Sequence, residues 1–201
     1  MTGPVAGQVR ILHGLPAPLR ADAARLYWQA FGGKLGAVLG PEPRALAYLE
    51  RAIRADHVIA LVGADHQLLG IAGFKTPTGS FSGGTTADLR AAYGRFGAAW
   101  RLWLLSLLAG EVDNDRFLID GICVRAGQRG RGHGRRLLEA LCQEARRRHY
   151  DYIRLDVIDS NWRARALYER EGFVAVKSDP IGLLRHVFGF ASSTTMVKPL
   201  S

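Results

Sequence analysis

Between Val124 and Gly134 the chain reads VRAGQRGRGHG, a run rich in glycine and arginine set between an apolar segment and an amphipathic one. Glycine lets the backbone take left-handed dihedrals and bring amide hydrogens close to a ligand. The first amides of a following helix lack internal partners and sit at its positive end. A strand-to-helix glycine turn is therefore a ready anion site, and phosphate is its usual guest. The plainer alternative is a tight turn that binds nothing. Charge placement favours a ligand. Arg125, Arg129, Arg131, Arg135, Arg136, Arg146, Arg147 and Arg148 fall in one short segment. A nucleic-acid face would spread them and interleave aromatics, whereas clustering suits a compact phosphate-bearing molecule. Arg146 to Arg148 alone fit a solvated helix face.

Two familiar phosphate motifs do not fit. A P-loop needs a glycine directly before a Lys-Ser or Lys-Thr pair, and the chain has none. The dinucleotide fingerprint G-x-G-x-x-G fails because the third position after Gly130 and Gly132 is Arg135. What remains is R-x-x-G-x-G, filled by Arg129, Gly132 and Gly134.

The elements that must position this turn follow from periodicity. RFLIDGICV (116–124) predicts a strand before it, and GRRLLEALCQEARRR (134–148) predicts an amphipathic helix after it. YIRLDVI predicts a further strand, NWRARALYERE a helix, and GFVAVK and TTMVKPL closing strands. Upstream, residues 18–31 predict a helix ended by Gly32 and Gly33, and residues 41–54 a second. HVIALVG and QLLGIAGFK, joined by ADH, predict a hairpin. A Gly, Ser and Thr-rich loop covers 76–85, and an unusually apolar helix spans Thr86 to Ala109, with Trp100, Trp103, Leu104, Leu107 and Leu108. Paired strands early and a βαβ unit later imply a mixed α/β sheet.

Composition sets the frame. With 201 residues and a net charge of +9, the chain has the length of one domain and the apolar fraction of a soluble globular protein. No run of eighteen apolar residues occurs, and Arg101 interrupts the greasiest window, so no membrane-spanning helix is expected. The N-terminus lacks a basic region followed by an apolar one, so no secretory signal is visible. Cys123 and Cys142 lack metal-ligand spacing and read as reduced core thiols of a cytoplasmic protein.

The glycine turn resembles the acyl-coenzyme A loop of the GCN5-related N-acetyltransferase (GNAT) family, in which successive amides hold the cofactor pyrophosphate. The likeness continues downstream: NWRARALYEREGF is similar to the family pattern N-x-x-A-x-x-L-Y-x-x-x-G-F through Asn161, Ala164, Leu167, Tyr168, Gly172 and Phe173. Val124 precedes Arg129 at the expected interval, while the proline common two residues after that valine is Ala126 here. The resemblance covers residues 116–177 closely and the N-terminal half only by element order. It implies a mostly antiparallel sheet with splayed parallel strands, flanked by helices. The domain would span 1–201, with 86–109 as an additional apolar helix before the cofactor strand.

The same resemblance implies residue roles. Ile122 and Val124 would offer main-chain groups to the pantetheine arm, and Arg129, Gly130, Arg131, Gly132, His133 and Gly134 would hold the pyrophosphate. Asn161 would contact the cofactor, although a plain helix cap or turn is an equally good reading. Tyr168 would give a proton or hydrogen bond to the departing thiolate, against the alternative of an aromatic that packs its helix on the sheet. Asp120, where several family members carry glutamate, would take the ammonium proton directly or through water, or else satisfy a backbone turn beside Gly121. Asp156 and Asp159 are weaker candidates for the base. His133 has no partner spacing for a metal, and no metal is expected.

The function implied is acetyl transfer from acetyl-coenzyme A to a primary amine by direct attack in a ternary complex. Cys123 lies on the cofactor strand and is not placed to carry the acetyl group. Alternatives are a longer acyl chain, acetylation of a protein N-terminus, or a coenzyme A-binding sensor without chemistry. The acceptor is a small-molecule amine or a protein N-terminus, with neither nucleic acid nor membrane as partner. The 86–109 helix is core packing, a wall of the acceptor pocket or the face of a homodimer.

Overall fold

The computed structural model describes residues 9–108, 116–182 and 185–200. One sheet organises them, with strands β1 (Arg10–His13), β2 (Val58–Val62), β3 (Leu68–Thr76), β4 (Gly79–Ser80), β5 (Phe117–Val124), β6 (Tyr152–Ile158), β7 (Val174–Pro180) and β8 (Ser192–Pro199). Their spatial order is β1-β2-β3-β5-β6-β8-β7, and β4 pairs with β3. All ladders are antiparallel except β5 with β6. The mixed, mostly antiparallel sheet expected from the sequence is the one observed.

Helices cover both faces. Helices α1 (Arg20–Leu39), α2 (Glu42–Ala52), α3 (Thr86–Leu108) and the short α6 (Arg185–Phe188) supply one apolar cluster. Helices α4 (His133–Arg147) and α5 (Trp162–Arg170) supply the other, with Leu137, Leu138, Leu141 and Ala145 buried as the periodicity predicts. Cys123 and Cys142 are both buried free thiols.

The first helix is longer than its sequence suggests. It runs through Gly32 and Gly33 to Leu39, although each glycine costs about 1 kcal/mol in a helix interior. Burial of Val38 and Leu39 and partial burial of Phe31 and Leu35 outweigh that cost. The Tyr93 hydroxyl donates to the Leu39 carbonyl, and Arg101 donates to the Gly40 carbonyl at 3.3 Å, which fixes the helix end. Strands β1 and β4 lack a sequence signal of their own, because each is short and relies on a long neighbour for pairing.

Helix α3 breaks its regular geometry at Gly94, with φ 72° and ψ 176°. Beyond that kink Phe96, Trp100 and Trp103 are exposed, while Leu104 packs partly against the core. Ala109 lies outside the described residues. Among those residues no helix is long and apolar enough to cross a membrane.

Candidate active site

The site begins where β5 departs from β6. Their parallel ladder has only two pairs, Phe117↔Ile153 and Leu118↔Arg154. From Ile119 onward β5 keeps β3 on one side, while its other edge is released from β6. Arg125 donates to the Leu69 carbonyl at 2.9 Å, and antiparallel alternation then turns the main-chain groups of Val124 and Ile122 away from β3. The Val124 carbonyl accepts from Arg129 Nε at 3.2 Å on that free side.

A β-bulge sits in the released stretch. Phe74 pairs with Ile119 and Gly73 with Gly121, leaving Asp120 as the extra residue of β5. The bulge directs both Asp120 and Gly121 to the α1 face. A Cβ on Gly121 would fall 2.8 Å from the Phe31 ring, and one on Gly73 would fall 2.5 Å from the Phe81 ring. Glycine is needed at both positions because aromatic rings lie directly on the backbone. Tyr27 stands beside the two rings, with centroids 4.7 Å from Phe31 and 5.4 Å from Phe81. Burial raises the Tyr27 hydroxyl well above the ordinary phenol range, and the nearby Asp120 charge raises it further.

Asp120 is held by the loop that follows β3. Its Oδ2 accepts from Ser80 Oγ at 3.0 Å, Ser82 N at 2.9 Å and Ser82 Oγ at 2.8 Å. The carboxylate thus does satisfy a backbone turn, that of Ser82 rather than one beside Gly121. Of the weaker candidates, Asp156 accepts from Thr195 Oγ1 at 2.6 Å. Asp159 accepts from the amides of Ser160, Ala191 and Ser192 and so serves its corner as a cap.

Tyr168 comes from the opposite face. It is buried on α5 beside Phe173, ring centroids 5.9 Å apart. Burial pushes its hydroxyl up to about 12, and the Cys123 thiol across the released edge of β5 adds to the effect. Burial and the Asp120 charge also push the Cys123 thiol up. A thiol so disfavoured as thiolate is a poor nucleophile.

Beyond Val124 a 3-10 turn leads to the glycines. Gly130 and Gly132 both have φ of 78°, and added Cβ atoms there would meet open space rather than protein. The left-handed backbone, not crowding, therefore requires glycine. Gly132 caps α4, whose first intrahelical bond runs from Arg136 N to the Gly132 carbonyl at 3.1 Å. The amides just inside that cap have no partner within the helix. Gly134 lies in the first turn, where a Cβ would approach Leu167 to 3.3 Å. His133 is buried at this end, with Nδ1 lacking a hydrogen-bond partner among the described residues. Burial, then the charges of Arg136 and Arg131, lower its pKa. An anion here would meet the amides of the helix start and open space.

The arginines divide by role. Arg131 is exposed at the rim. Arg125 ties the turn to β3 through the Leu68 carbonyl at 2.9 Å, and Arg135 pairs with Glu171 at 3.2 Å. Arg146 donates to the Leu200 carbonyl, while Arg147 and Arg148 pair with Glu144, which is buried. That trio is thus more than a solvated helix face. Asn161 caps α5 by accepting from Ala164 N at 3.3 Å.

Sequence reasoning missed Ser80, Ser82, Tyr27 and Phe31. The available signal was Ser80-Phe81-Ser82, an aromatic flanked by hydroxyls inside an otherwise featureless loop. Among the described residues, no three His, Cys, Asp or Glu side chains gather as metal ligands.

Residues 21–173 match the family model described as Acetyltransferase (GNAT) family. No curated protein matches the chain. Among solved structures, an N-acetyltransferase from Staphylococcus aureus Mu50 superposes with a TM-score of 0.64 at 18% identity, covering 94% of this chain and 99% of its own. A GCN5-related N-acetyltransferase from Kribbella flavida gives 0.58 at 16% identity, covering 98% and 99%. The ribosomal-protein-S18-alanine N-acetyltransferase from Escherichia coli gives 0.54 at 17% identity, covering 96% and 95%. These likenesses establish a shared fold.

Proposed function

The chain belongs to the acetyltransferase (GNAT) family, and from that premise we propose that it moves acetyl from acetyl-coenzyme A to a primary amine by direct attack in a ternary complex. One observation carries the reading: a strand edge released after Leu118 leads, through Val124, into a left-handed glycine turn that opens α4. A phosphate-bearing thioester with an extended arm suits that path. Its pyrophosphate would lie at the amides of residues 129–134 with His133 and Arg131, and its arm along Ile122 and Val124. Asn161 would contact the arm while its carbonyl oxygen serves as the α5 cap.

When bound, acetyl-coenzyme A supplies an activated acyl group. The residues of the chain handle protons. An ammonium acceptor must lose one before its nitrogen can attack, and Asp120 lies on the α1 face beside the released edge to take it. Tyr168, buried in the cluster on the opposite face of the sheet, would approach the same edge from that side. Its burial keeps the phenol protonated through the neutral range, ready to hydrogen-bond a departing sulfur. The disfavoured Cys123 thiolate agrees with direct transfer rather than an acetylated cysteine. The catalytic unit spans residues 1–201, its acceptor is a small amine or a protein N-terminus, and its compartment is the cytoplasm.

The test is a screen of primary amines and N-terminal peptides with acetyl-coenzyme A, reading free thiol. Release that depends on the amine supports the reading. Coenzyme A binding without release from any acceptor would indicate a sensor instead.

A further inference from the structure

Resting on the reading of Asp120 as proton acceptor, we propose that Ser80 and Ser82 are positioning residues that aim this carboxylate, with Phe81 as their anchor. An aspartate carboxyl turns easily about its last bond, where the preference is broad and two-fold. Here that freedom is removed at one oxygen. Three donors converge on Oδ2: two hydroxyls and the Ser82 amide, at 3.0, 2.8 and 2.9 Å. Fixing Oδ2 fixes Oδ1 as well, and it is Oδ1 that is left to receive a proton.

The donors are themselves held. Phe81 is 1% exposed and lies on Gly73, the partner of Gly121 across the bulge. Its amide donates to the Phe74 carbonyl at 3.0 Å, and its carbonyl accepts from Arg54 N at 3.0 Å. The residues on either side of this anchor are the two serines. The buried Tyr27 of α1 packs edge-on against the Phe81 ring, with centroids 5.4 Å apart, and so holds the anchor from the helix side.

The experiment compares the Ser80→Ala/Ser82→Ala double variant in two backgrounds, native Asp120 and Asp120→Asn. Initial rates are read with acetyl-coenzyme A and a mixture of 2-phenylethylamine, 1,4-diaminobutane and an alanyl peptide amide. With Asp120 present, the serine changes should lower turnover about tenfold, a fraction of the roughly 10² to 10⁴-fold typical of a positioned base. The KM for acetyl-coenzyme A should stay within twofold. In the Asp120→Asn background, removing the serines should change turnover less than twofold, because their effect passes through the carboxylate. Ser80→Thr/Ser82→Thr, which keeps both hydroxyls, should restore most of the rate. Equal losses in the two backgrounds would overturn the proposal, as would no loss with Asp120. If the double alanine variant fails to fold, the single Ser82→Ala change carries the same comparison. Should Asp120→Asn by itself leave turnover intact, or the wild type acetylate none of the three amines, the underlying reading of Asp120 falls instead.

Discussion

Replacing Tyr168 with phenylalanine isolates one hydroxyl, since the ring can keep its place beside Phe173 at 5.9 Å. The size of the effect follows from the acidity of the site. Burial raises the phenol to about 12, whereas an alkyl thiol titrates near 8.5. Complete transfer of the proton to a thiolate would be uphill by three to four pKa units, roughly 5 kcal/mol. The hydroxyl is therefore expected to stabilise the departing sulfur by a hydrogen bond to a charged group, worth about 1.5–3 kcal/mol. Turnover should fall roughly 10- to 150-fold, while coenzyme A affinity and the melting temperature stay near the wild-type values. Because the folded pKa is raised, the phenol stays protonated below about pH 12. The variant should lower the plateau of the pH–rate profile across the neutral range without moving its limbs. Steady-state kinetics with acetyl-coenzyme A varied provides the assay. Unchanged turnover would refute a role in the chemistry, and a proportional loss of coenzyme A binding would point to packing.

Other perturbations have equally definite outcomes. Asp120→Asn should reduce turnover most below the pKa of the amine and less above it; an equal loss at every pH would mark a structural role. Gly73→Ala places a Cβ against Phe81 and should cost about 1–3 kcal/mol, read as a melting temperature lower by about 2–12 °C. Its turnover should fall further than stability alone explains, because the anchor of the Asp120 loop is displaced. Glu144 is buried, its pKa lowered by Arg148, Arg147 and His13 against the cost of burial. A lowered folded pKa stabilises above the unfolded value and is lost as pH falls through the folded one. Glu144→Gln should accordingly cost about 2 kcal/mol at pH 7, less than a fully enclosed pair because its partners reach solvent. That deficit should shrink below about pH 4, as denaturant titrations at the two pH values will show.

The legible parts of the chain were those whose residue types answer local needs. Gly130 and Gly132 announce left-handed backbone, and the apolar spacing of Leu137, Leu138 and Leu141 announces the face that α4 buries. Asn161 at a helix start gave the cap. Features that depend on distant partners were hidden. Helix α1 continues past Gly32 and Gly33 because Val38 and Leu39 reach the core, a tertiary gain that local propensity opposes. The bulge at Asp120 exists only through the register of β5 on β3. The clamp on Asp120 joins residues about forty positions apart, so the serines looked like loop filler. Splaying of β5 from β6 was implied by family likeness alone, since neither strand carries a residue that marks where pairing stops.

Calorimetric titration of coenzyme A into the wild type and into Gly132→Val asks whether the glycine turn holds the pyrophosphate. Valine at φ 78° is strained, and its side chain would enter the open space before the α4 amides. If the turn does so, the wild type should bind clearly and the variant at least a hundredfold more weakly, about 2.7 kcal/mol, with the cooperative melt of the variant preserved. Equal affinity in the two proteins would contradict it.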